Sequence, residues 1–194
     1  MDGAIFGCAP SDPTARANHC RIGDTHMWRK RGEIASPELA GDDHYGKQVP
    51  LSRAVAVWGG LSSNGFQVVL FHDTKKLTSA TWSNAVDEGR LKKALQDLNP
   101  ARKHGPWEIL ADNETFLRTA ESLKVMAKSK AKFWKGPFKL PPYSPDLNPI
   151  EKFWGWLRKV LRKADLADLN AGRPPLGKMA LRARIRNICR KRKT

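Results

Sequence analysis

Three acidic residues stand where a chain could do chemistry with them. Asp112 follows the apolar run Trp107-Glu108-Ile109-Leu110-Ala111 and precedes Asn113. An acid delivered at the carboxyl end of a strand is placed to meet a ligand, although an Asp-Asn pair also suits a turn held by its own side chains. Glu151 comes three residues after Asn148, just ahead of an apolar helical pattern. That spacing fits a capping box, in which the glutamate reaches back to the cap backbone, and capping does not preclude a second role. Asp2 opens the short apolar run that ends at Cys8. Carboxylates are hard oxygen ligands of the kind Mg²⁺ takes alongside water and substrate phosphate. By contrast, His19, His26, His44, His72 and His104 show no ligand spacing. Cys8, Cys20 and Cys189 are odd in number and lack a Cys-x-x-Cys, so the pattern indicates neither a disulfide scaffold nor a cysteine-rich zinc site.

The elements that must position these acids are legible in outline. Gly3 to Cys8 reads as a strand, and Ala9 to about Gly46 as loops with one short strand. Arg53 to Trp58 and Phe66 to Phe71 read as a β-hairpin across Ser62-Ser63-Asn64-Gly65. Trp82, Val86, Leu91, Leu95 and Leu98 recur at near-helical spacing, which predicts one amphipathic helix from Ser79 to Leu98 with Thr78 or Ser79 as its cap. Trp107 to Ala111 reads as a strand, Thr115 to Ser129 as a helix, and Phe133 to Leu140 as an edge strand. Asn148 as N-cap with Pro149 at the first position opens a helix lined by Ile150, Phe153, Trp154, Leu157, Val160 and Leu161. Beyond Gly172-Arg173-Pro174-Pro175, residues from Leu176 to Cys189 read as a last helix before the basic tail. Strand, hairpin, helix, strand, helix and a last long helix is the plan of an RNase H-like α/β fold, a mixed central sheet flanked by helices. The expected division is a catalytic domain over residues 1–163 and a basic helix and tail over residues 164–194.

Lys and Arg number 35 against 19 Asp and Glu, a formal net charge of +16. Such a balance favours a polyanionic partner; a generally basic ribosomal-type protein is the plainer reading. No stretch approaches the roughly 18 continuous apolar residues of a membrane helix, and no secretory leader stands at the start. A soluble protein of a reducing, intracellular compartment is expected.

The segment Leu140-Pro141-Pro142-Tyr143-Ser144-Pro145-Asp146-Leu147-Asn148-Pro149-Ile150-Glu151, running on through Trp154 to Leu157, resembles the signature around the third acid of Tc1/mariner transposases. Asp2 to Phe6, Trp28 to Glu33, Val57-Trp58-Gly59-Gly60 and Leu110-Ala111-Asp112-Asn113 fall in the same family's order. The resemblance covers roughly residues 1–163. It implies that Asp2, Asp112 and Glu151 are the catalytic triad and hold two Mg²⁺ or Mn²⁺ ions. Asp146 is not a metal ligand in that family. The implied reaction is cleavage of DNA at transposon ends followed by attack of the freed 3′-hydroxyl on target DNA.

Other expectations follow from the same resemblance. DNA would be the partner, a homodimer is expected, and the location would be nuclear in a eukaryote. Arg29, Lys30, Arg31, Arg158, Lys159, Arg162 and Lys163 are candidate phosphate contacts, as Lys and Arg are in sequence-independent binding. The chain departs from the family pattern in a longer span between Asp112 and Glu151, with an insertion expected near Ala127 to Lys135. The family's helix-turn-helix modules are not in this sequence, which reads as lacking an upstream part. The alternative function is a transposase-derived protein that binds DNA through its basic surface without cutting it.

Overall fold

β2 (Ala54–Ser62) is the strand around which the rest assembles. It is buried from Ala54 to Gly60, as expected for a central strand covered on both faces. β3 (Gly65–His72) returns antiparallel across the Ser63-Asn64 turn, and β1 (Asp2–Gly7) pairs antiparallel on the other side. The order is β1-β2-β3. Gly65 supplies a φ of 111° at the turn, and the Asn64 side chain and the Ser62 hydroxyl donate to the Leu98 carbonyl at 2.9 and 2.7 Å. This is the expected hairpin, with both strands longer than the apolar runs suggested. The computed structural model describes residues 1–20, 51–74, 77–111, 114–134 and 148–191.

A second, parallel pair is formed by β4 (Trp107–Ile109) and β5 (Ala131–Phe133). The Met1 ammonium donates to the Leu110 carbonyl and so links the head of β1 to the end of β4. Parallel strands need a crossover, and α4 (Ala120–Lys128) provides it, capped by the Thr119 hydroxyl. The predicted helix over 115–129 therefore starts later, after a 3₁₀ turn at Thr115–Arg118. Of the strand expected over 133–140, residues 135–140 lie outside the described residues, and β5 holds Phe133 at its end.

Two further expectations are corrected. Within the segment read as loops, α1 (Pro13–Cys20) is a helix. Asp12 caps it, accepting from Ala15 N–H at 2.7 Å, and Pro13 occupies the first position, both of which favour helix initiation. The single helix predicted over 79–98 is two, α2 (Ser79–Asp87) and α3 (Arg90–Leu98). Gly89 sits between them at φ 76°, a left-handed conformation that glycine adopts without steric cost. Thr78 caps α2 as expected.

Helices cover both faces of the sheet. On one face α2, α3 and α4 enclose Trp58, Trp82, Leu91, Val125 and Met126. On the other, α5 (Pro149–Asn170) and α6 (Lys178–Lys191) pack over Phe6, Val55, Val57 and Phe66. Val55 and Val57 lie on the second core while Trp58 lies in the first, the alternation a pleated strand imposes. The result is the RNase H-like α/β arrangement expected from the sequence. Helix α5 continues unbroken through Lys163 to Asn170, beyond the point where its apolar stripe fades. Among the described residues no helix is long and apolar enough to cross a membrane.

Candidate active site

Strand alternation decides where Asp2 points. Ala4 and Phe6 belong to the core beneath α5, and a residue two earlier on the same strand shares that face. Asp2 is buried, at 8% exposure. Its carboxylate accepts from the Trp154 indole Nε1 at 3.3 Å and from the Gly3 backbone N–H, and its side chain is hydrogen-bonded with that of Glu151. Burial raises the pKa of Asp2, and those hydrogen bonds together with the Met1 ammonium pull it partly back.

Trp154 is held as firmly as any side chain here. It is fully buried, edge-on to Phe6 at 5.8 Å and to Phe66 at 5.0 Å, while Phe153 stacks on Phe66 at 4.1 Å. Phe66 in turn requires Gly59, because a Cβ at that position would lie 2.3 Å from its ring. Gly59 is the register partner of Asp2, so the Val57-Trp58-Gly59-Gly60 run leaves room for the aromatic wall behind the acid.

Helix α5 brings Glu151 to the same place. Asn148 accepts from the Ile150 N–H at 3.4 Å and Pro149 follows at the first position, which fixes the helix start and sets Glu151 in the first turn. Glu151, Trp154 and Arg158 then share one helix face at i, i+3 and i+7. Desolvation lowers the pKa of Arg158, while the charges of Glu151 and Asp2 oppose that lowering. Its guanidinium lies 5.6 Å over the Phe6 ring. A cleft of about 690 Å³ opens beside β1, lined by Gly3, Ile5, His72, Glu114, Phe116 and Arg158.

Asp112 and Asn113 lie outside the described residues, but the residues on either side of them reach β1. Leu110 does so through the Met1 ammonium. Glu114 does so through a carboxylate oxygen 3.9 Å from the position a Cβ would take on Gly3. Among the described residues no three His, Cys, Asp or Glu side chains gather as a metal cluster. The Asp2 and Glu151 pair nevertheless fits a divalent cation. Asp2 is buried and Glu151 half-buried, and a hard cation takes carboxylate oxygens of this kind.

The remaining candidates divide. Lys159 and Lys163 are exposed, and Arg162 is half-buried near Cys20, whose pKa it helps lower against the desolvation that raises it. Arg29, Lys30 and Arg31 lie outside the described residues, as do the Trp28 to Glu33 block and most of the proline-rich signature. Sequence reasoning placed Trp154 in the core and missed its hydrogen bond to Asp2; the i, i+3 spacing from Glu151 was the available signal. It gave Glu114 no role, because nothing local sets that residue beside β1.

The family profile described as DDE superfamily endonuclease matches residues 34–171. That is well over half the chain, which belongs to this family. It is thus a DDE transposase-type domain, of a nuclease class that acts on DNA and generally uses divalent metals such as Mg²⁺. Asp112 and Glu151 fall within the matched stretch and Asp2 precedes it. No curated protein matches the chain significantly.

Proposed function

We propose that this chain is the catalytic domain of a Tc1/mariner-type transposase, which cuts DNA at transposon ends and joins the freed 3′-hydroxyl to target DNA. The observation that carries the proposal is the meeting of Asp2 and Glu151, from opposite ends of the chain, in one hydrogen-bonded pair. Leu110 and Glu114 support Asp112 as the third acid, since both contact the start of β1.

Asp2, Asp112 and Glu151 would hold two Mg²⁺ or Mn²⁺ ions. Such a pair activates the attacking oxygen and stabilises the leaving one in an in-line displacement. The protein's own part is to hold its carboxylates in place. Trp154 keeps Asp2 turned under α5, and the short separation along α5 locks Glu151 to Trp154. Arg158, beside both acids, would meet the phosphodiester's charge, with Lys159, Arg162 and Lys163 further along the helix. Water attacks the phosphorus first and the 3′-oxygen leaves; that 3′-hydroxyl is the nucleophile for joining. Homodimerisation and a nuclear location accompany this reading.

With Mn²⁺ the purified protein should nick supercoiled plasmid, and Glu151→Gln should abolish nicking while leaving the thermal melt nearly unchanged. Retained cleavage by that variant would refute the assignment. DNA binding with no divalent-dependent nicking in the parent chain would instead support the non-cutting alternative.

A further inference from the structure

The arginines of α6 have three different fates. Leu181, Ile185 and Cys189 turn its apolar side into the core. Arg184 reaches back to α5 and binds Asp165 and Asp168 at 3.1 and 2.6 Å. Arg182 binds Asp73 at 2.6 Å. Arg186 and Arg190 continue the Arg182 stripe at successive i+4 steps, and both are exposed. Among the described residues neither makes an ion pair, and Arg186 lies 4.8 Å over the Phe71 ring.

These two arginines face cations from a different element. A groove of about 460 Å³ runs over the edge strand β3 between α6 and α3, lined by Arg186 and Arg190 on one side and Arg90 and Lys93 on the other. Arg90 is bound to Glu88 at 2.6 Å, and Asp97 is the acid on the groove wall. Lys93 is exposed and, among the described residues, makes no ion pair. The groove floor includes Val68, which pairs with Gly59, itself the partner of Asp2. Adjacent strands lie about 4.8 Å apart, so the floor stands on the same row as the catalytic carboxylate and roughly 10 Å across the sheet. Arg186 and Arg190 are one helical turn apart, about 6 Å along the axis, comparable with two phosphate steps of duplex DNA at about 3.4 Å each.

We propose that this groove binds the phosphate backbone of duplex DNA beside the bond being cut, through Lys93, Arg186 and Arg190. The assignment rests on the DNA-cleaving reading for its choice of polyanion. Convergence of cations from two helices on one concave surface, level with the acid pair, distinguishes it from a solvated helix face. Contacts of this kind are made to phosphates and carry no sequence information.

The test is fluorescence anisotropy of the full chain with a labelled random-sequence 30-base-pair duplex, in EDTA so that cleavage plays no part, over a range of salt concentrations. Replacing Lys93, Arg186 and Arg190 together by Gln should lower the slope of log K against log salt by about 2.7, since each phosphate contact contributes about 0.9. At 0.1 M salt each lost contact should weaken binding roughly eightfold. Because Arg186 packs on Phe71, the double change Lys93→Gln with Arg190→Gln, which leaves that contact intact, should lower the slope by about 1.8. The exposed control Lys103→Gln with Lys124→Gln should not change it. An unchanged slope in both groove variants overturns the proposal and leaves these residues as charges that protect an edge strand. Loss of polyglutamate binding with duplex binding intact also overturns it, in favour of an acidic protein partner. Nicking by a protein whose groove variants bind normally sinks the groove alone; groove-dependent binding without nicking sinks the catalytic reading alone.

Discussion

Helix α5 carries acids at both ends, and the two ends give them different partners, although burial raises the pKa of Asp165 as it does that of Asp2. Near its start, Glu151 meets Asp2, and burial raises the pKa of Asp2. Towards its end, Asp165 and Asp168 are equally buried but are answered by arginines. Arg184 spans both, and Arg173 binds Asp168 at 2.7 Å. The side-chain hydrogen bond from Arg184 is the leading reason that Asp168 titrates below its ordinary value. One end of the helix is a structural ion network complete within the chain. The other brings the Asp2 and Glu151 side chains together, the arrangement on which the proposed cation site rests.

That contrast can be broken most decisively at Asp112. Asp112→Asn should cut Mn²⁺-dependent nicking by at least about a hundredfold, the scale of losing one catalytic group, with little change in the melt. Nicking near the parental rate would leave Asp2 and Glu151 without a third acid. Next in size, Arg184→Met should destabilise the fold by about 3 kcal/mol, because it strands the buried Asp165 carboxylate and leaves Asp168 to Arg173 alone. Arg158→Met, beside the opposite pair, should cost far less, and urea midpoints that match for the two variants would erase the distinction.

Acid titration sharpens the comparison further. The folded-state pKa of Asp168 is depressed, so its contribution is fully present above the unfolded value near 3.9 and is lost as pH falls through the folded value. Asp168→Asn should therefore lower stability at pH 7 and flatten the loss below about pH 4; a parallel curve would show that the network does not depend on the ionised acid. Smaller still, Asn148→Ala should cost about 1 kcal/mol for the lost cap, read as a shift in the urea midpoint, and should weaken nicking only through the position of Glu151.

The parts of the fold legible in the sequence were those with local causes. Asn148-Pro149 announced the start of α5, and the apolar runs around Ser63-Asn64-Gly65 announced the hairpin. The same chemistry stood at Asp12-Pro13, where a cap and a first-position proline were present but the surrounding polar residues hid the helix. Gly89 was passed over because the apolar spacing on either side of it keeps phase closely enough to imitate one helix. Ala131 and Lys132 of β5 are not legible as strand because three residues are too few to show a period.

By itself the sequence determined which residue types were available, how the helices begin, and that a basic chain carries well-separated acids. Only the tertiary structure decided which of those acids meet. Hydrogen bonding between Trp154 and Asp2 spans 152 positions, and no local propensity acts over such a distance. It follows from β1 docking against β2 with Ala4 and Phe6 turned inward, and from α5 crossing that face with its aromatic residues buried. Burial of apolar side chains drives both events and carries the carboxylates with them.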